Sequence, residues 1–316
     1  MFHFKSVSQV KENIPIFFFF STKFKENRYP NVVYLSLVFQ SLISSGTHLV
    51  AKLVVKDIEP LALTMIRSAL AAVGLLLVVL LRKGRIVIAR ADYGSILLLS
   101  FLAIPANQFL FLTALKHTTP TNASLMYAMT PTVVLVISSL MGGERLSWKK
   151  TAGVFIAFGG IVLVVFEHGI DLACDYTLGN LLLAAAVLSW ALYTVKGRPM
   201  ILKYGAFSTS AVTMILGTLM FLPVGALNAA EFDYSRLTPA HWGGLMYLAA
   251  GTSIFAYFLW YYALGRIEAS KVAIFSNLQP IMTAVLAYLL LGQPISFTFI
   301  VGGTIALFGI VLTQFG

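Results

Sequence analysis

Apolar residues recur along the chain in long runs, punctuated by charges, glycines and prolines. A helix that crosses a membrane needs about 20 consecutive, mostly apolar residues. Ten runs approach or exceed that length: 33–55, 61–81, 93–115, 119–141, 150–166, 177–196, 208–228, 241–263, 269–291 and 296–315. They are too long for strands and do not alternate with period two, which argues against a β-barrel. Short connections between them predict one compact bundle. The expected fold is therefore all-α integral membrane, with ten transmembrane helices.

Composition agrees with the pattern. The 316 residues are 59% hydrophobic and 11% charged, against about 45–50% and about 25% in soluble domains. A globule in water could not hide this much apolar surface. A soluble enzyme, a nucleic-acid-binding module and a disordered protein are all disfavoured. The net charge of +10 then takes its meaning from topology, because cytoplasmic loops collect Lys and Arg. With the N-terminus inside, inside segments hold 17 of the 22 cations, outside segments hold Lys52, Lys56, Lys116 and Arg236, and Arg67 alone falls within a span. This split predicts a multi-pass protein of the inner (plasma) membrane with both termini cytoplasmic. Residues 1–30 form a cytoplasmic tail whose apolar stretch, Ile14–Phe20, is too short to span. The single cysteine, Cys174, excludes a disulfide framework and a Cys-based metal site.

The chain also repeats itself. Shifted by 149 residues, positions 114–163 match 263–312 at 14 of 50 positions without a gap. Pro131 pairs with Pro280, Gly143 with Gly292, Gly153 with Gly302, and Gly160-Ile161 with Gly309-Ile310. The repeats cover 31–168 and 176–316, with five spans each. Five is odd, so the two copies cross the membrane in opposite senses. Inverted repeats of this kind build secondary transporters that alternate access to a central site. The sequence has no His-Glu-x-x-His, no phosphate-binding Gly-rich loop followed by Lys-Ser/Thr, and no acidic pair within a span. It therefore predicts no enzyme, no cofactor, no metal and no ATP site. The expected partners are a small-molecule metabolite and the lipid bilayer, with no nucleic acid and with a homodimer left open.

In the first repeat, Ser45-Gly46-Thr47, Lys52, Pro60 and Arg67 are followed by Ala114-Leu115, Leu125 through Pro131, and Gly143-Glu144-Arg145-Leu146 before Gly153. In the second, Leu188-Ser189-Trp190-Ala191-Leu192-Tyr193 precedes Gly251-Thr252-Ser253, Trp260 through Leu264, and Ala269 through Pro280. In this order, across residues 33–315, the chain resembles the EamA-type permeases of the drug/metabolite transporter superfamily. One departure is that Gly143-Glu144 has Gly292-Gln293 as its counterpart. The resemblance implies ten spans in two repeats, a central cavity, and export of small metabolites, often amino acids. A membrane sensor or receptor on the same fold is the alternative.

Candidate pathway residues follow from polarity inside apolar spans. Arg67 lies about two turns inside the second span. An unpaired cation there costs roughly 2.5–3.5 kcal/mol, so it serves either as an anion-binding or gating group or as a partner of Asp57 or Glu59. Lys52 is expected to snorkel to the surface. His48 is the titratable group of the first span. Asn107 and Gln108 follow Pro105, Tyr127 precedes Pro131, and Asn277 and Gln279 precede Pro280. Prolines free backbone carbonyls, so these three spans are expected to be interrupted near mid-membrane. Trp190, Tyr193, Tyr257 and Trp260 supply an aromatic wall suited to neutral, partly apolar or zwitterionic molecules. Tyr261 shares a face with Tyr257, while an interfacial belt explains Tyr261 and Tyr262 equally well. The small-residue stripe Gly153, Ala157, Gly160 and its copy Gly302, Ala306, Gly309 reads as a packing face, or a dimer face.

Overall fold

The computed structural model describes residues 30–81, 86–141, 147–165 and 175–315. The N-terminal tail, Gly143-Glu144-Arg145-Leu146 and Cys174 lie outside them. Every regular element among the described residues is helical. In chain order these are α1 (Pro30–Val54), α2 (Pro60–Leu81), α3 (Arg90–His117), α4 (Pro120–Leu140) and α5 (Trp148–Val165). They continue with α6 (Asp175–Tyr204), α7 (Ala206–Glu231), α8 (Pro239–Leu264), α9 (Ala269–Leu291) and α10 (Phe297–Phe315). Among the described residues, eight helices are long and apolar enough to cross a membrane. The shortest two, α5 and α10, have 18 and 19 residues.

Local signals set the ends. Thr119 accepts a hydrogen bond from the Asn122 amide, and Pro120 occupies the first turn of α4. Thr238 and His241 form a reciprocal capping box ahead of α8, again with Pro in the first turn. Gly292 stops α9 with a left-handed backbone, φ 59°, a conformation that costs a side chain with a Cβ.

The burial pattern is inverted relative to a soluble protein. Leu81, Leu140, Phe155, Phe297 and Leu290 are exposed, whereas Gln40, His48, Arg67, Asn107, Gln108 and Gln279 are buried. Exposed apolar surface on this scale requires a nonaqueous neighbour. The chain is a multi-pass membrane protein with its polar groups turned inward.

Helix α2 packs on α7, α4 on α9 and α5 on α10. The last pair is the closest. A Cβ added at Gly160 would lie 2.4 Å from the Ala306 nitrogen and 2.5 Å from the Gly302 oxygen. A Cβ at Gly309 would lie 2.3 Å from the Ala157 nitrogen and 2.7 Å from the Gly153 oxygen. Under the 149-residue shift these two sets of contacts are copies of each other. Gly160 meets 302–306 while Gly309 meets 153–157, so the helices run antiparallel. Only glycine allows backbones to approach this closely. The small-residue stripes therefore cover one another within the chain and do not form a free face.

Candidate functional site

Four helices lose α-helical regularity near their middles. Helix α3 has a π-helical segment over Leu102–Gln108, around Pro105. Helix α4 breaks at Met129, just before Thr130 and Pro131. Helix α9 narrows to a 3-10 turn over Ile274–Asn277 before Leu278 and Pro280. Those three breaks follow the proline signals. The fourth, a π-helical segment over Tyr247–Ala256 in α8, has no proline. Its signal in the sequence was register. Shifting 102–108 by 149 residues gives 251–257, which overlaps the observed segment.

The breaks surround a cavity. Its volume is about 60 Å³. Eight predicted residues line it: His48, Arg67, Asn107, Gln108, Tyr127, Trp190, Tyr257 and Gln279. Gln40, Ser44, Thr47, Phe111, Thr252 and Ala256 complete the wall. These six are ordinary small, polar or apolar residues in their spans, and only helix phase relative to His48 could have flagged the first three, at i−8, i−4 and i−1.

Three predicted residues sit elsewhere. Tyr193 stacks on Tyr261 at 4.8 Å and 13°, and its hydroxyl lies 3.1 Å from Thr213 Oγ1. Trp260 donates from Nε1 to Thr194 Oγ1 at 3.1 Å. Both pack behind Trp190, whose ring lies 5.5 Å from Tyr193 and 5.3 Å from Trp260. Asn277 is half-buried in the 3-10 turn and does not line the cavity. Tyr261 is fully buried in the same aromatic stack, which decides between its two readings in favour of the interior. Tyr262 instead carries Arg266 over its ring at 3.5 Å.

Hydrogen bonds hold the wall. Asn107 Nδ2 donates to the Tyr127 hydroxyl at 2.7 Å and to the Ala186 carbonyl at 2.9 Å. Its Oδ1 accepts from the Tyr257 hydroxyl at 3.2 Å. Asn107 thus ties α3 to α4, α6 and α8. His48 Nε2 lies 3.2 Å from Gln279 Oε1, and its ring meets Phe111 and Tyr127 edge-on at 5.4 and 5.6 Å.

Arg67 is 2% exposed. Its Nε donates to the Leu248 carbonyl at 3.1 Å and to Ser253 Oγ at 2.9 Å. Both acceptors belong to the π-helical segment of α8, where the altered ladder leaves a carbonyl accessible. Neither expected acid reaches it. Glu59 pairs with Lys116 at 2.6 Å, and Asp57 lies 3.0 Å from His241 Nε2. The reading of Arg67 as a structural partner of those acids is overturned. Lys52 does not snorkel either. Its Nζ donates to the Leu115 and Thr118 carbonyls at 2.6 and 2.9 Å, capping the end of α3.

The EamA-like transporter family matches residues 31–166 and again 177–315. The chain belongs to this family. A relative in Archaeoglobus fulgidus, called an uncharacterized transporter, is 33% identical over 89% of this chain and 96% of its own length. The uncharacterized transporter YyaM of Bacillus subtilis is 27% identical over 90% and 93%. A Streptantibioticus cattleyicolor protein named for terminal-alkyne amino-acid export is 25% identical over 70% and 73%. A solved crystal structure shares the fold with a TM-score of 0.65 at 19% identity, over 87% of this chain and 94% of that one. As an EamA-like transporter, the chain has a natural use for a polar cavity enclosed by interrupted helices.

Proposed function

We propose that this EamA-like chain is a secondary transporter, not an enzyme, that exports small organic metabolites across the inner membrane by alternating access. The observation that carries the reading is the cavity. Breaks in α3 and α4 face breaks in α8 and α9 across one polar space. These are matching helices of the two sequence copies, 31–168 and 176–316. The reciprocal antiparallel contacts of α5 and α10 support an inverted arrangement of ten crossings, and the bias of Lys and Arg to one set of connections supports cytoplasmic termini. Two inverted halves can exchange shapes, which opens the shared cavity to one side and then the other. Amino acids are one substrate class to try, since the Streptantibioticus relative is named for exporting one.

The pathway residues are His48, Arg67, Asn107, Gln108, Tyr127, Trp190, Tyr257 and Gln279, with Tyr193 and Trp260 backing the wall and Asn277 at the hinge of α9. The test is counterflow in proteoliposomes with a panel of labelled metabolites. Saturable exchange of at least one compound is the expected result, weakened by substitution at Asn107 or Tyr257. Ligand-induced conformational change with no flux of any labelled compound would favour a sensor instead.

A further inference from the structure

The cavity carries an electrostatic imbalance. An arginine stays protonated in any protein setting. Arg67 is buried, and among the described residues no carboxylate lines the cavity with it. One of its terminal nitrogens, Nη1, is buried without a protein partner. A charge left uncompensated in a low-dielectric interior is costly, and a donor without an acceptor adds to that cost.

A second unpaired group lies beside the first. Gln108 Nε2 reaches Ser253 Oγ at 3.5 Å, the same oxygen that takes Arg67 Nε at 2.9 Å. Ser253 therefore holds the guanidinium and the amide side by side. Gln108 Oε1 is buried with no partner. The pair presents a cationic donor next to a neutral acceptor, both on side chains that line the cavity.

We infer that the cavity binds a small organic monoanion: a carboxylate that accepts from Arg67 Nη1 and carries, on the adjacent carbon, a neutral hydroxyl that donates to Gln108 Oε1. This rests on the transporter reading above and names its substrate class. Charge balance separates the classes. A hydroxy acid brings one negative charge and neutralises the site. A zwitterionic amino acid brings no net charge, and its ammonium would sit near Arg67 with no acid to receive it. A neutral amide leaves the cation uncompensated. The small cavity volume, about 60 Å³, suits a short chain.

The experiment uses full-length protein in nanodiscs and four probes of nearly one shape: lactate, lactamide, alanine and 1-amino-2-propanol. Calorimetric titration should show lactate binding about tenfold or more tighter than the other three, since lactamide and 1-amino-2-propanol lack the charge-assisted bond to Arg67 and alanine brings an ammonium that leaves the site's positive charge uncancelled. Arg67→Gln should bring lactate down to the level of lactamide, and Arg67→Lys should keep part of the preference. If Arg67→Gln does not yield monodisperse protein, the four-probe ranking on the unaltered protein and Arg67→Lys carry the test. Equal binding of lactate and lactamide, tighter binding of alanine, or an unchanged ranking in Arg67→Gln overturns the inference. Counterflow of a neutral or zwitterionic metabolite that lactate fails to inhibit overturns it while leaving the transporter reading intact. Binding of lactate without flux of any compound upholds the anion site and removes the transporter reading.

Discussion

Asn107 ties four helices together at the cavity wall. It meets α4, α6 and α8 through bonds to Tyr127, the Ala186 carbonyl and Tyr257. Hydrogen bonds between membrane helices are worth about 0.6 kcal/mol on average and up to about 1.7. Asn107→Ala should therefore lower unfolding stability in detergent by about 1–3 kcal/mol and reduce counterflow, with the fold kept. Unchanged stability and flux would show that Asn107 neither holds nor serves the cavity. Sequence reading singled out Asn107 because a polar amide in an apolar span either lines a cavity or bonds between helices, and Asn107 does both. It left Tyr261 open, since position near the end of a run suits an interface as well as an interior wall. The ring is stacked on Tyr193, and nothing in the local sequence tells the buried side of an aromatic-rich helix from its lipid side.

At the scale of elements, α5 and α10 test how far small residues set geometry. The added Cβ at Gly160 meets backbone, which cannot move as a side chain can. Gly160→Ala should cost about 1–3 kcal/mol as overpacking between helices. Gly159, one residue earlier, has nothing within 4 Å of its added Cβ, so Gly159→Ala should change stability by less than about 0.5 kcal/mol. Thermal unfolding of the two variants side by side checks the contrast, and equal losses would mean that the contact does not hold the pair. The spacing of the stripe was visible in sequence, but its partner was not. Periodicity identifies a face and says nothing of which helix covers it. The same limit applies to the break in α8. Proline marks a broken ladder by removing a donor, whereas the π-helical segment over Tyr247–Ala256 leaves no such trace in composition.

At the scale of the whole molecule, polar ties gather at the predicted outer ends. Asp57 holds His241, Glu59 holds Lys116, and Lys52 caps α3. Together they fasten the α1–α2 connection to the end of α3 and the start of α8. The alternating access proposed above requires this region to separate. With Cys174→Ser as background, Asp57→Cys and His241→Cys joined by a cleavable thiol cross-linker should stop counterflow, and cleaving the linker should restore it. Flux that continues through the cross-link would place the moving end elsewhere. The sequence by itself determined the membrane class, the helical runs, the twofold copy and most residues of the cavity, because each is written in local composition, spacing or self-similarity. Tertiary structure alone decided that Arg67 lacks an acid, that Asp57 and Glu59 are engaged elsewhere, and that Ser253 sets Arg67 beside Gln108. Those outcomes depend on which helices meet and at what rotation, and packing between residues as far apart in the chain as Arg67 and Ser253 fixes that.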